Sequence, residues 1–232
     1  MDEAPRVVLV CDRRPAMGIY EPPLPWLSKP RVVVEATAAL VASAITARAD
    51  VASLDYGDGE PYWLPPGRRD VPWLVQERQA SASFDASDDN VALALSFLGQ
   101  LHSDLPTGTF VFVVSDFLVP PPHDAWLDAA ARGWDIVPVV IQDPVWEQSF
   151  PDVSSVAVPI ADPRSGRTEL VRLSRRAVLT LKEDNHARLA QLLSDLVSLD
   201  LEPVLLGTSD PYEIDRAFVE WAELRRVTRW AR

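Results

Sequence analysis

The 232-residue sequence predicts a doubly wound α/β fold, a mostly parallel sheet flanked by helices. Three observations carry this expectation. Residues 7–11 and 110–115 are almost wholly apolar runs, the mark of strands covered on both faces. Segments of helical period separate the strand-like runs, which implies right-handed crossovers. Each of the two runs is followed directly by an aspartate, Asp12 and Asp116, at the carboxyl edge where open α/β sheets place their ligand sites.

The elements follow in order. After the first strand, Pro30 opens a helix to about residue 48, with Val33, Ala36, Thr37, Leu40, Val41, Ala44 and Ile45 as its apolar stripe. Residues 50–56 read as a strand, and Gly57-Asp58-Gly59 before Tyr62-Trp63-Leu64 predicts a hairpin at a sheet edge. A short helix is expected over 71–79. Ser87-Asp88-Asp89 then caps a clearer one over 90–102, in which Val91, Leu93, Ala94, Leu95, Phe97, Leu98 and Leu101 are mostly apolar. Gly108 turns the chain into the strand ending at Asp116. A helix from His123, with Trp126, Leu127 and Ala130 inward, stops at Gly133 before the strand 135–142. Residues 153–158 and 168–173 read as a strand and hairpin around the turn 162–167. A helix over 175–198, a strand near 203–206 and a helix over 211–230 complete the chain.

A net charge of −12 and a pI near 4.6 argue against nucleic acid as a partner, because phosphate neutralisation needs a cationic surface. Cys11 is the single cysteine, a small core residue by its setting. No disulfide framework exists and a reducing, cytoplasmic compartment is expected. The acidic opening and short first apolar run do not read as a signal peptide, and the stretch 32–47, broken by Glu35, falls short of a membrane span. The 21 prolines cluster between periodic segments and stiffen loops. One domain over 1–232 is expected.

The loop after the first strand, Asp12-Arg13-Arg14-Pro15-Ala16-Met17-Gly18, resembles the Asp-x-Ser-x-Ser-Met loop of the von Willebrand factor A domain, a Rossmann-like fold whose metal-ion-dependent adhesion site uses such hydroxyls. Ser115-Asp116-Phe117 is similar to the strand end carrying that site's second aspartate, and Ser87 falls where the family places its threonine. Asp143-Pro144-Val145-Trp146-Glu147, with Phe150-Pro151, Val156-Ala157-Val158 and Asp162-Pro163-x-Ser165-Gly166, resembles the bacterial family known as domain of unknown function fifty-eight, usually encoded beside MoxR-type AAA+ ATPases. That family usually has an upstream portion, membrane segments and then a Gly-Asp-x-x-Arg-x-Ile-x-Trp-like motif. Its absence here implies either an internal start or a stripped-down member.

Arg14 and Ala16 stand at the two family serine positions, so two hydroxyl ligands are lost and a guanidinium is brought toward two carboxylates. A divalent cation such as Mg2+ wants hard oxygen ligands, whereas a fixed cation repels it and can pair with the carboxylates itself. The expectation is an internal Arg–Asp cluster, a degenerate adhesion site with no cofactor; weak residual Mg2+ binding is the alternative, and a blander one turns Arg14 to solvent and leaves the aspartates capping loops. Other chemistries find little support. Arg14 occupies the position where a haloacid dehalogenase-type phosphatase needs an acid, no Gly-x-Gly-x-x-Gly or P-loop is present, and Ser165-Gly166 is not a nucleophile elbow. His102, His123 and His186 are far apart in sequence.

Of the eight tryptophans, Trp26 and Trp146 flank the predicted strand-end face and are the candidate partner anchors. Arg164, Arg167, Arg172, Arg175 and Arg176, with Arg225, Arg226 and Arg229, could bind an acidic partner, although a solvated basic flank on an acidic protein is the more usual explanation. The function this implies is a non-enzymatic protein-interaction domain, and the resemblance supplies a MoxR-type AAA+ ATPase as partner, in protein maturation or complex assembly. The alternative is a metal-assisted hydrolase using the Asp12 and Asp116 carboxylates, and a third reading is a structural relic.

Overall fold

The computed structural model describes residues 4–19, 27–67, 69–101, 105–162, 164–165 and 167–230. Its main sheet has six strands in the order β3-β2-β1-β4-β5-β8: β1 (Arg6–Cys11), β2 (Asp50–Asp55), β3 (Tyr62–Leu64), β4 (Phe110–Ser115), β5 (Asp135–Ile141) and β8 (Val204–Leu206). All neighbours are parallel except β3, which returns antiparallel to β2 as the Gly-Asp-Gly turn predicts. The chain runs from β1 outward to β2 and then crosses to β4 on the other side of β1. The gap between β1 and β4 is therefore the topological switch point, and Asp12 and Asp116 stand at its carboxyl end.

Alternating residues of the central strands feed two cores. Leu9, Cys11, Phe112, Val114, Val139 and Ile141 face α1 (Lys29–Thr46), α2 (Val71–Ser81) and α6 (Pro211–Trp230). Val8, Val10, Val111, Val113 and Val140 face α3 (Asn90–Gln100), α4 (His123–Ala130) and α5 (Arg175–Ser198). Cys11 is fully inside, and burial pushes its thiol up to about 12, so it is protonated at neutral pH. Gly133 ends the α4 segment with a positive φ, and its carbonyl accepts from Gly108, the other turn glycine, at 2.8 Å.

Several inward assignments shift by one residue. Ile45, Leu93 and Leu127 are exposed, whereas Val32 and Ala129 take inward positions and Ala130 faces out. One helix face at 3.6 residues per turn cannot hold every apolar residue of such rich segments. The strand expected from residue 153 begins later, as β6 (Ala157–Ala161), paired antiparallel with β7 (Thr168–Arg172) in a separate two-stranded ribbon. Ser155 takes a φ of 67° and its N–H bonds to the Leu173 carbonyl, so a turn occupies the first part of the expected strand. No helix among the described residues is long and apolar enough to cross a membrane.

The orientation of α3 can be tested directly. Leu98, fully buried, should cost about 2–5 kcal/mol when cut to alanine, and Leu93→Ala under about 0.5 kcal/mol. Urea midpoints of the two variants give the comparison, and equal losses would contradict the described face.

Candidate functional site

The site is built by how β1 ends. Asp12 still donates its N–H to the Val114 carbonyl, at 2.9 Å, which ties its backbone to β4. Pro15 then starts a short 3-10 turn (Pro15–Gly18) and holds Arg14 in an extended conformation, while Met17 plugs the turn into the core. The Asp12 carboxylate folds back to accept the Arg14 N–H at 2.9 Å, an Asx-type turn. The Arg14 side chain thereby returns over the strand ends.

Its guanidinium lies between the two sequence-predicted aspartates. Nε and Nη2 donate to Asp12 Oδ2 at 2.8 and 2.6 Å, and Nη2 also donates to Asp116 Oδ1 at 2.6 Å. The remaining lone pairs are engaged as well. Asp12 Oδ1 accepts from Asn90 Nδ2 at 2.9 Å and Asp12 Oδ2 from Ser115 Oγ at 2.6 Å. Asp116 Oδ1 accepts from the Leu118 N–H at 3.0 Å, and Asp116 Oδ2 from Lys29 Nζ at 2.8 Å. Asp12 and Asp116 are fully buried and Arg14 is 2% exposed.

The electrostatics follow from this packing. Burial alone would lower the Arg14 pKa, but the bonds and charges of Asp12 and Asp116 outweigh it and hold it above the usual arginine value. Burial would likewise raise Asp116, yet Lys29 and Arg14 keep its carboxyl below the usual range. Lys29, the first residue of α1, is fully buried and also donates to Glu147 Oε1 at 2.5 Å. Burial dominates at Glu147, and Lys29 does not cancel it, so this carboxyl is raised. Three carboxyl groups, Asp12, Asp116 and Glu147, surround two cations, Arg14 and Lys29.

Glu147 reaches Lys29 because the Asp-Pro-Val-Trp-Glu segment is a self-bonded turn. Asp143 Oδ1 accepts from the N–H groups of Val145 and Trp146 at 2.7 and 3.0 Å, and the Asp143 N–H donates to Glu147 Oε2 at 2.8 Å. From α5, Arg188 binds the Glu147 carbonyl at 2.7 Å, and Asn185 binds the carbonyls of Trp146, at 3.0 Å, and Ser149. Trp146 is half-buried on this edge with Phe150 at right angles, 5.5 Å between ring centres.

Arg13 points the other way. Its Nη2 lies 3.4 Å from Asp55 at the end of β2 and 2.5 Å from Gln79 Oε1, and its guanidinium sits 5.1 Å from the Phe84 ring centre. Arg78 of α2 grips Asp55 through Nε and Nη2, the latter at 2.6 Å. Adjacent strands β2, β1 and β4 thus each end in a buried, arginine-paired aspartate.

The sequence-predicted residues divide accordingly. Asp12, Arg14 and Asp116 come together. Ala16 lies half-buried in the 3-10 turn and offers only a methyl group. Ser87 does not join them: its exposed hydroxyl bonds to Asp89 Oδ1 at 2.5 Å, outside the first turn of α3, and Asn90 three residues on reaches Asp12 instead. Trp26 and His102 lie outside the described residues, and His123 and His186 are exposed. Reasoning from sequence overlooked Asp55, although it ends a strand by the same rule as Asp12 and Asp116. It also missed Lys29 and Asn90, for which the sequence carries no signal, and the charge role of Glu147, which it quoted only as part of a motif. Among the described residues no group of three or more His, Cys, Asp or Glu side chains is arranged to hold a metal ion.

Comparison with solved structures gives the fold the same identity. The conserved hypothetical protein BatB from Bacteroides thetaiotaomicron is similar at a TM-score of 0.55 and 15% identity, covering 95% of this chain and all of that one. The pilus adhesin SpaC from Lactobacillus rhamnosus GG is similar at 0.55 and 8% identity, covering 96% of this chain and 31% of its own. Both likenesses are of fold. No curated protein sequence matches. The family model described as protein of unknown function DUF58 matches residues 3–190, and the chain, an α/β domain, belongs to that family.

Proposed function

We propose that the chain is a protein-interaction module, not an enzyme, whose strand-end crevice is closed by an internal cation in place of a metal ion. One observation carries this reading. Arg14 Nη2 lies 2.6 Å from a carboxylate oxygen of Asp12 and of Asp116 alike, the position a bridging ion would need. The donor set does not fit a divalent cation, because both oxygens of each aspartate already accept from nitrogen or hydroxyl donors and Lys29 adds a second fixed positive charge. The adhesion site is degenerate on this reading. Recognition then falls to the loops around the crevice, with half-buried Trp146 as an anchor on its rim.

The partner comes from the family resemblance: a MoxR-type AAA+ ATPase, in maturation or assembly of other proteins. The hydrolase alternative has no observation in its favour, since both carboxylates are buried and paired and the Cys11 thiol is protonated in the core.

Titration with Mg2+ and Mn2+ by calorimetry should give no saturable binding at millimolar ion, and the immobilised domain should capture a MoxR-type ATPase from the same organism as well with EDTA as without. A stoichiometric ion bound at micromolar concentration would end the internal-cation reading, and failure of capture in both buffers would end the assignment of partner.

The pH response separates the two carboxyls. Asp116 is depressed in the folded state, so its contribution is present above its unfolded pKa of about 3.9 and is lost as pH falls through the folded value. Glu147 is raised, so its contribution is present below about 4.3 and is lost as pH rises through its folded value. Glu147→Gln should therefore flatten the fall in melting temperature on the neutral side and leave the acid-side loss in place. Parallel curves for the variant and the parent above that point would refute the assignment.

A further inference from the structure

The β6–β7 ribbon stands outside both cores, and its two edges are not alike. Its register pairs Ala157 with Arg172, Pro159 with Leu170 and Ala161 with Thr168. At the tip the Asp162 N–H bonds to the Arg167 carbonyl at 2.9 Å, and at the base the Ser155 N–H bonds to the Leu173 carbonyl at 3.0 Å. In an antiparallel pair, inward and outward main-chain groups alternate along each strand. Both ends give the same assignment: on β7, Glu169 and Val171 point toward β6, and the N–H and C=O groups of Thr168, Leu170 and Arg172 point away from it. On β6 the outward residues are Ala157, Pro159 and Ala161, so a proline with no N–H sits in the middle of that edge. One edge is blunted and the other is left open.

The surroundings of the open edge are charged and apolar together. Residues 153–176 hold five arginines against two acidic residues, a net +3 that leaves −15 on the rest of the chain. Arg164 pairs with Asp88 at 2.9 Å and Arg167 with Glu169 at 3.0 Å, while among the described residues Arg172, Arg175 and Arg176 make no ion pair. Leu170 is 75% exposed on one face of the ribbon, and Val156 and Ile160 are about half exposed on the other. The contact of Arg164 with Asp88, just ahead of α3, sets the ribbon tip beside the strand-end crevice.

We propose that the outer edge of β7 takes up an extended, acidic protein segment as a third strand, with Leu170 packing its apolar residues and Arg172, Arg175 and Arg176 pairing its carboxylates. This rests on the reading of the domain as a protein-interaction module and names where the contact is made. A nucleic acid would meet the −15 of the remaining surface. An anionic lipid surface could meet the arginines but has no main-chain groups to pair with three outward donor and acceptor sets. A second copy would bring a second basic ribbon to the first.

The test uses the full chain and an acetylated decapeptide of repeating Glu-Glu-Val-Val, which presents both residue types on each face of a strand. NMR-detected amide exchange should slow at Thr168, Leu170 and Arg172 on peptide addition, with Glu169 and Val171, already bonded to β6, unchanged. Leu170→Pro removes one outward N–H without touching the β6 ladder and should weaken binding by about tenfold. Arg172→Glu with Arg175→Glu and Arg176→Glu should abolish it, and the peptide methylated at every amide nitrogen should not bind. The proposal is overturned if the peptide fails to bind, if the methylated peptide binds equally, or if protection does not alternate along β7. It is overturned equally if the chain is a dimer that Leu170→Pro dissociates, or if phosphatidylserine vesicles bind the ribbon and the peptide does not. Loss of ATPase capture with this pattern intact would sink only the assignment of partner.

Discussion

The crevice depends on one guanidinium held between two strand ends. Asp12 and Asp116 are carried by neighbouring parallel strands, and with both carboxylates out of water the gap between β1 and β4 would be repulsive. Arg14 turns that repulsion into a bridge, because its planar fork offers several donors and stays charged when buried. Removing one member of such a cluster typically costs about 3–5 kcal/mol, since it leaves an uncompensated charge inside. The arrangement is therefore better understood as fixing geometry than as adding stability: β1, β4, α1 and the loop after β5 are held in one register by charges that have no other place to go.

The dipeptide Arg13-Arg14 extends the same logic across the sheet. Successive side chains leave an extended backbone on opposite sides, so Arg13 reaches Asp55 at the end of β2 while Arg14 reaches Asp116 at the end of β4. Two residues thus connect three strand ends. Pro15 and the buried Met17 keep the dipeptide extended, so the chain leaves the strand through a proline-bound turn and not through a glycine-rich phosphate cradle.

The doubly wound layout was legible because buried parallel strands, helix-stop glycines and the Gly-Asp-Gly hairpin each leave a local mark in the sequence. Asp12, Arg14 and Asp116 were legible for a related reason: all three lie within three residues of a strand end. Lys29 was not. A lysine ahead of a proline at a helix start ordinarily projects into water, and only the tertiary position of α1 brings its ammonium to Asp116 and Glu147. Asn90 and Ser87 show the same limit, since three residues of offset decide which one enters the first turn of α3 and which stays outside. The exposed Ile45, Leu93 and Leu127 reflect a further one: segments rich in apolar residues name a helix without saying which side of it turns inward.

Pro159 has a consequence beyond the ribbon itself. A two-stranded ribbon with both flanks open could stack end on end without limit, the geometry of a cross-β filament. With a proline on one flank, growth stops after a single addition. The ribbon can remain adhesive at a stoichiometry of one, and a chain that exposes Val156, Ile160 and Leu170 to water is spared polymerisation.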